Sequence, residues 1–535
     1  MPRSSNLALP RRPLRLLAGA AVAFGIAALV GLVLATILTA TSGDSAAPSR
    51  VDVWQLLRMT AIQAGLSTLL SLVAGTALAW ALNRLRFVGR ELVVGLFASA
   101  IVTPGLVVAF GLLAIWGRAG WVNQTALALT GQPLEVPLFG LGGILAAHVI
   151  LDGAFAARIL LARLDAVPDL RLKTGQSLGL SAWQRFAIID WPMLQGAIPG
   201  LGAIIFLLAF TSFPIVLLLG GGPANQTLEV AIYAAVRLDF DLRGAVQLAL
   251  VQIGVCAAVI LLATAAAPVS AVTGGSRVSS WRDRGAARAL QWLVLALGMA
   301  GFGLPLLAVL ANGIGPGMAS LLVRPGFWHA LGTSLGLGAA SAILTLLMAL
   351  TIGTARAAAG TSAARTLIGA PAFAYLAVPA VVLSLGAFLI VRALGAQTEA
   401  SAAPAVVLLA NALMSLPFAV ATLGPPLDAV TRSRGKLIRS LGLDGWQQFR
   451  DIEWPLVRRE AGIVLALAFC FSLGDLGVIA LLGTQDFTTL PLLMYRALGA
   501  YRTNDAGTIA AVMLLVTIIA FVAIPRLFEV PDARR

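Results

Sequence analysis

The chain has 535 residues, of which 59% are apolar and 11% are charged. Soluble domains have about 45–50% and about 25%, so water is excluded as the main solvent of this protein. The net charge of +14 does not indicate nucleic-acid binding, because the basic residues form short clusters between apolar runs rather than one basic face. The length allows about twelve membrane spans and leaves no room for a sizeable soluble domain.

Twelve apolar runs follow one another along the chain, six in each half. Each run is long enough to cross a bilayer as a helix, which satisfies its own backbone hydrogen bonds. The sequence therefore predicts an all-α integral membrane protein with about twelve transmembrane helices in two repeated six-helix halves. The predicted spans are 14–38, 55–82, 92–116, 139–163, 197–220 and 244–268, then 289–313, 329–355, 367–391, 404–424, 461–483 and 507–528.

The first run follows a basic segment that contains Arg3, Arg11, Arg12 and Arg15. This arrangement is typical of a secretory signal peptide, but a run of about 25 apolar residues is longer than the usual apolar region of such a peptide. We therefore expect an uncleaved first helix.

Most of the 37 lysine and arginine residues lie at the termini and in alternate connecting segments. The positive-inside rule places these segments and both termini in the cytoplasm. One of them, residues 269–288, is rich in Gly, Ser and Arg. We interpret it as a cytoplasmic linker between a first half, residues 1–268, and a second half, residues 289–535.

The two longest basic loops are copies of each other. Residues 164–192 read LDAVPDLRLKTGQSLGLSAWQRFAIIDWP, and residues 427–455 read LDAVTRSRGKLIRSLGLDGWQQFRDIEWP. At an offset of 263 residues, more than half of the positions are identical. Shared apolar composition cannot explain such identity in a polar segment, so the two halves derive from a repeat.

The residues of the first copy predict a helix, a turn and a second short helix. The first helix ends near Leu178, and Gly179 permits a turn with positive φ. The next helix is amphipathic and presents Trp183 and Phe186, after which Pro192 is expected to reset the chain before the next span. The second copy repeats these residues as Gly442, Trp446, Phe449 and Pro455.

One such helix alone would fit the lipid headgroup region, where tryptophan is common. Two matched copies on one membrane face favour a different interpretation. A two-fold symmetric partner offers two equivalent sockets and requires the same surface twice.

The spacing of the conserved pattern in each copy resembles the cytoplasmic EAA loop of ABC importer permeases. Its positions are Gly179, Ile189 and Pro192 in the first copy, and Gly442, Ile452 and Pro455 in the second. The resemblance implies a type I ABC importer permease fold in the bacterial inner membrane, an ABC ATPase dimer bound at loops 164–196 and 427–459, and a periplasmic substrate-binding protein. It implies contact with the ATPase by Gly179, Trp183, Phe186 and Pro192, and by Gly442, Trp446, Phe449 and Pro455.

The chain departs from that family at the three residues that give the loop its name. Lys173-Thr174-Gly175 and Lys436-Leu437-Ile438 stand where Glu-Ala-Ala is expected. The glycine turn and the following helix remain, but a contact made by that glutamate is not expected here.

The chain as a whole resembles the fused permeases of thiamine importers. The segments that carry this resemblance are FPIVLLLGGGP (213–223), LGDLGVIALLG (473–483), TLP (489–491) and YRTNDAG (501–507). The resemblance implies a small-molecule substrate, thiamine or its phosphates. Fused iron(III) importer permeases share much of this architecture and are the first alternative.

The sequence lacks the residues that ATP hydrolysis, nucleophilic catalysis and metal binding require. No GxxxxGK[ST] phosphate-binding loop occurs, so ATP is expected to be hydrolysed on a separate chain. His148 and His329 are the only histidines, and Cys256 and Cys470 the only cysteines. We therefore predict no catalytic residues, no metal site, no cofactor and no enzymatic activity in this chain.

Two further classes remain as alternatives. Twelve spans in two repeated halves also describe secondary transporters, and residues 83–90 (NRLRFVGR) are loosely similar to a loop of that group. A scaffolding membrane protein is the other alternative. The duplicated loop favours the ABC permease.

Four polar residues within the spans are candidates for the translocation path: His148, Asp152, Asn411 and Asp475. His148 and Asn411 occupy the same repeat position. Asp152 lies one helical turn from His148, which also fits a purely structural pair. Asp475 has no predicted partner, and a carboxylate in a water-filled cavity of a membrane protein favours a cationic solute, although an interhelical hydrogen bond is the alternative.

Overall fold

The structure is a computed structural model that describes residues 13–40, 52–134, 136–265, 281–393, 395, 402–443 and 445–529. Every regular element in these ranges is a helix. The predicted all-α class is therefore confirmed.

The described residues of the first sequence half form thirteen α-helices. A 3-10 helix at Ser99–Val102 follows α3, and a π-helix at Phe186–Asp190 joins α8 to α9. The helices are α1 (Pro13–Ala40), α2 (Val53–Arg84), α3 (Arg90–Ala98), α4 (Gly105–Trp116), α5 (Trp121–Thr130), α6 (Leu141–Asp165), α7 (Asp169–Ser177), α8 (Ala182–Arg185), α9 (Trp191–Gln195), α10 (Ile198–Phe210), α11 (Phe213–Leu219), α12 (Leu228–Arg237) and α13 (Leu242–Ala265).

In the second sequence half, the residues that the structure describes form eleven α-helices. A 3-10 helix at Ala370–Ala377 precedes the fifth of them, and a π-helix at Phe449–Glu453 lies between the seventh and eighth. The helices are α14 (Ala286–Gly313), α15 (Pro316–Leu322), α16 (Pro325–Ala358), α17 (Ser362–Gly369), α18 (Ala380–Ala393), α19 (Ala402–Ser440), α20 (Gly445–Gln448), α21 (Trp454–Gly474), α22 (Gly477–Leu482), α23 (Leu490–Gly499) and α24 (Thr503–Leu527).

Where they are described, the twelve predicted spans fall on helical segments, but several of these segments are interrupted; residues 266–268 of the sixth span lie outside the described residues. Within the described ranges, nine helical segments are long and apolar enough to cross a membrane, or ten if the bent pair α8–α9 and α10 counts as one span. The third and fifth predicted spans of each half are the interrupted ones, at 103–104, 211–212, 378–379 and 475–476. Prolines at two of these breaks disfavour a helical residue before them. The exact number of twelve spans stays a prediction.

The chain forms two compact units, and each contains residues of both sequence halves. The α1 unit consists of the described residues within Met1–Ala47, Pro325–Leu492 and Leu515–Arg535, and in it α1 packs against α16 and α18. The α14 unit consists of the described residues within Pro48–Arg324 and Leu493–Leu514, and in it α14 packs against α2 and α4. Helix α1, the first helix of the first half, therefore packs with helices of the second half, and α14, the first helix of the second half, packs with helices of the first. We call α1 and α14 the exchanged helices. The predicted halves 1–268 and 289–535 describe the repeat, not these units.

The exchanged helices approach their partners closely because glycine lies at each contact. A Cβ atom on Gly19 of α1 would lie 2.2 Å from the Cβ of Ala355 in α16. A Cβ atom on Gly298 of α14 would lie 2.3 Å from a methyl carbon of Leu78 in α2. Small residues of this kind allow helix backbones to pack tightly in membranes.

A hydrogen bond that occurs once in each unit shows that the repeat extends into the apolar helices. In the α14 unit the hydroxyl of Thr60 accepts a hydrogen bond from the Leu228 backbone N–H at 3.0 Å. In the α1 unit the hydroxyl of Ser334 accepts one from the Leu490 N–H at 2.8 Å. Both bonds are buried; one fixes the start of the short helix α12 on α2, and the other fixes the start of α23 on α16.

Candidate functional sites in the duplicated loops and the spans

Loop 1, residues 164–196, contains the predicted pair of helices and glycine turn. Helix α7 is followed by Leu178, and Gly179 then has a φ of +68°, which a side chain would strain. Ser181 begins α8 with a capping box, in which its hydroxyl accepts from the Gln184 N–H and its own N–H donates to the Gln184 side chain. The turn and the cap together fix the direction of α8.

Loop 2, residues 427–459, repeats this turn but differs in how it is reached. Gly442 has a φ of +63°. In loop 1, Pro168 ends the preceding helix, because proline lacks a backbone N–H and restricts the residue before it. Thr431 occupies that position in loop 2, and α19 continues without a break from the span into the loop.

Each loop presents an exposed tryptophan that contacts a phenylalanine of the following π-helix. Trp183 is 74% exposed, and its ring centroid lies 5.7 Å from that of Phe186. Trp446 is 69% exposed and lies 5.5 Å from Phe449. Two similar aromatic surfaces therefore remain uncovered in the chain alone, as a docking surface requires.

The expectation that Pro192 resets the chain is wrong. The π-helix of loop 1 runs directly into α9, which contains Pro192, and the axis bends by 59° only between α9 and α10. In loop 2, α21 runs through Pro455 without a bend of this kind. Both prolines lie in the first turn of an α-helix, where a missing N–H is tolerated.

A buried acidic side chain lies beneath each loop at the last residue of the π-helix. In the α14 unit, Asp190 accepts a hydrogen bond from Arg84 of α2 at 2.5 Å. In the α1 unit, Glu453 accepts one from Arg15 of α1 at 2.8 Å. Removal of one partner of a buried ion pair typically costs about 3–5 kcal/mol, because the other charge is left uncompensated. Neither acid is predicted as a functional residue from the sequence, although the two are aligned in the repeat.

Asp190 and Glu453 occupy the same repeat position, but their basic partners come from different helices. Arg84 ends the second helix of its own half, whereas Arg15 belongs to the exchanged first helix. Arg15 also donates to the Gly445 carbonyl oxygen at 2.7 Å. The two loops therefore have similar surfaces on differently built supports.

Three of the four candidate path residues have side-chain partners within their own unit. The Nδ1 atom of His148 lies 3.1 Å from the Asp152 carboxylate, so the two form a buried pair along α6. The amide of Asn411 donates to the Ser472 hydroxyl of α21 at 2.9 Å. His148 and Asn411 occupy the same repeat position but make different contacts. His148 contacts a residue of its own helix, whereas Asn411 connects α19 to α21.

Asp475 lies at the break between α21 and α22 and is 8% exposed. The expectation that it has no partner within one turn is wrong, because one carboxylate oxygen accepts from the Val478 backbone N–H at 3.3 Å. The other oxygen is buried and has no hydrogen-bond partner among the described residues. Ser212 occupies the same repeat position at the break between α10 and α11 and is also buried. Only one of the two breaks therefore carries a carboxylate.

The described residues contain no cluster of three or more histidine, cysteine or acidic side chains that could hold a metal ion. Cys256 and Cys470 are buried free thiols.

Comparison with known proteins identifies the family. No protein-family model matches the chain. The chain is 36% identical over 502 residues to the thiamine transport system permease protein ThiP of Brucella melitensis, a match that covers 92% of both chains. It is 34% identical over 481 residues to ThiP of Escherichia coli and 36% identical over 485 residues to ThiP of Salmonella typhimurium, with 89% of each chain covered. These matches do not favour an iron(III) permease or a secondary transporter. The chain belongs to the family of thiamine transport system permease proteins.

Proposed function

We propose that this multi-pass membrane protein imports thiamine, or its phosphates, as the membrane-spanning subunit of a bacterial inner-membrane ABC importer. The observation that carries the proposal is the pair of matched loops with exposed Trp183 and Trp446. A transport subunit that contains no ATP site requires such a surface, because the energy of hydrolysis must reach it through a partner. The relatives named as thiamine transport permeases support the substrate.

The partner that fits the two loops is a two-fold symmetric ABC ATPase dimer on the cytoplasmic face. Both loops offer a helix with an exposed tryptophan after a glycine turn, so equivalent sockets can receive both. A periplasmic binding protein would deliver the substrate from the other side. The role of this chain is transport, with no catalytic residue of its own.

The proposed orientation predicts the location of two reporter fusions. Both loops and both termini lie in the cytoplasm, because they belong to the set of termini and alternate connecting segments that together carries most of the lysine and arginine residues. We expect reporters fused after Arg288 and after Arg535 to be cytoplasmic, active as green fluorescent protein and inactive as alkaline phosphatase. A periplasmic signal at either site would contradict the twelve-span topology.

The substrate is tested by uptake in cells that lack their own thiamine importer. We expect the permease, expressed with its ATPase and binding protein, to restore accumulation of radiolabelled thiamine. The matched control is the same set of proteins with an ATPase that cannot hydrolyse ATP. Competition by unlabelled thiamine monophosphate, thiamine pyrophosphate and ferric citrate measures the preference. Competition by ferric citrate alone would contradict the assignment.

We further propose that Asp475 lines the translocation path and favours a cation. Thiamine carries a fixed positive charge, and the carboxylate oxygen of Asp475 that has no hydrogen-bond partner among the described residues lies at a helix break, where backbone groups are also available. We propose His148, Asp152 and Asn411 as further path residues; the contacts of these three side chains also serve a structural role.

A further inference from the structure

We propose that the segment which joins the two sequence halves, residues 281–291, is a positioning element that completes loop 1. This joint segment comprises the described end of the predicted linker and the first residues of α14. Trp281 and Asp283 are buried, whereas Arg282 and Arg284 beside them are exposed. Since Trp281 and Asp283 precede the helix, their burial shows that the segment is docked on the α14 unit and is not a free tether.

Trp281 fills an apolar space inside loop 1. Its indole packs with Val167, Leu172 and Ile189. A Cβ atom added to Gly175 would lie 2.8 Å from the Trp281 ring, closer than a real contact allows. The glycine that replaces an expected alanine of the EAA pattern therefore makes room for the tryptophan of the joint segment.

Loop 2 fills the same space with a side chain of its own. Ile438 occupies the repeat position of Gly175 and is 4% exposed. It packs against Val430 and Ile452, the loop 2 counterparts of two residues that contact the indole in loop 1. The apolar space in loop 2 is thus filled by the loop itself, and the corresponding space in loop 1 is filled by Trp281.

Asp283 supplies a charge that loop 1 needs. Arg185 of α8 is fully buried, and its two terminal nitrogens donate to the two oxygens of Asp283 at 2.5 and 2.8 Å. The Arg185 guanidinium also lies 5.1 Å from the centre of the Trp281 ring, and Gln291 donates to Asp283 at 2.6 Å. A forked arginine–carboxylate pair of this kind fixes orientation as well as distance.

The ionised state of Asp283 agrees with this role. Burial by itself raises the pKa of its carboxyl, but the hydrogen bonds and charge of Arg185, with the hydrogen bond from Gln291, hold the pKa below its ordinary value. Within loop 1, Arg185 also donates to Asp190 at 3.4 Å, as the neutral Gln448 at its repeat position donates to Glu453 in loop 2. Only Arg185 carries a positive charge that calls for a second carboxylate. The carboxylate of the joint segment is therefore matched to a cation that only loop 1 contains.

The joint segment consequently couples the position of loop 1 to the start of α14. The effect on ATP-driven transport rests on the proposed docking role of the loops. The position of loop 1 itself does not, and it can be measured in the purified permease without the ATPase.

The first test gives loop 1 the side chain that fills this apolar space in loop 2, in place of Trp281. We expect Trp281→Ala to raise hydrogen–deuterium exchange in the loop 1 helices at least about tenfold, because it leaves a large cavity. Gly175→Ile alone should also raise it, because its side chain meets the indole. The double variant Gly175→Ile/Trp281→Ala should restore exchange to near the wild-type rate, since Ile438 fills that space in loop 2.

The second test removes the charge of Asp283 alone and then together with the charge of Arg185. Asp283→Asn should raise exchange in loop 1, because the buried Arg185 loses its forked partner. Arg185→Gln/Asp283→Asn should recover much of the protection, because glutamine is the residue that loop 2 has at this position. Arg282→Ala and Arg284→Ala, on the exposed side of the same segment, are the matched controls and should change nothing.

Exchange in loop 2 of the same samples is the internal reference. The inference is wrong if Trp281→Ala leaves loop 1 unchanged, if it loosens both loops equally, or if the double variant is no better protected than either single variant. Exchange that changes as expected while ATP-driven uptake stays normal would support the positioning role and contradict the proposed docking function of loop 1.

Discussion

Substitution of both loop tryptophans, Trp183→Ala with Trp446→Ala, is expected to release the ATPase from the permease. Each indole is largely exposed in the chain alone and would be buried in a socket of the partner. An aromatic anchor of this kind contributes about 2 kcal/mol or more, which corresponds to about a 30-fold change in affinity for each site. Co-purification of the ATPase and thiamine uptake by the same cells measure the effect.

The repeat offers a matched control for this experiment. Trp54 and Trp328 lie at the starts of α2 and α16 and are 72% and 54% exposed. In the predicted topology the other ends of these two helices lead to cytoplasmic segments, so both tryptophans lie away from the cytoplasmic face. Trp54→Ala with Trp328→Ala should leave the ATPase bound. If the loop variant retains its ATPase and transports normally, the loop tryptophans anchor the chain to lipid headgroups and not to a partner.

Replacement of Asp475 by asparagine is expected to reduce thiamine uptake by about tenfold or more while the complex still assembles. A carboxylate close to a cation in a partly dehydrated path contributes several kcal/mol at an effective dielectric constant of about 20, and about 1.4 kcal/mol already gives a tenfold effect. Asparagine keeps the oxygen that accepts from the Val478 N–H and removes only the charge. Radiolabelled uptake is measured together with permease abundance and ATPase association.

Asp475→Ser and Asp475→Ala separate charge from capping. Serine is the natural residue at this repeat position in the first half, as Ser212, and can cap a helix without a charge. We expect serine to impair uptake as asparagine does and alanine also to reduce the amount of assembled permease. Normal uptake by the asparagine and serine variants would remove the charge of Asp475 from the mechanism.

The sequence predicts the duplicated loops well because the signals that form them are local. A glycine with positive φ, a capping serine and an amphipathic helix lie within a few residues of one another, and the repeat shows which positions matter. The exposure of Trp183 and Trp446 follows from their place on that helix.

The parts that sequence reasoning missed depend on distant residues. Arg185 and Asp283 are 98 residues apart, and no periodicity connects them. The difference between Gly175 and Ile438 can be read from the two loop sequences, but its meaning appears only in the structure, where Trp281 fills the space. Likewise, the sequence predicts no partner for the carboxylate of Asp475, because its backbone donor becomes available only where the span is interrupted.

The exchange of first helices also constrains the order in which the protein can be assembled during synthesis. Helix α1 is made long before α16, so the face that contains Gly19 meets its partner Ala355 only after α16 has been made, and Arg15 reaches Glu453 later still. Contacts so distant in sequence form slowly, since a long loop must close before they give any stabilisation. Helix α1 must therefore remain in the bilayer without its final neighbours through most of translation. Arg15 is its only charged residue, so α1 is stable in the bilayer as a single span until those neighbours are made.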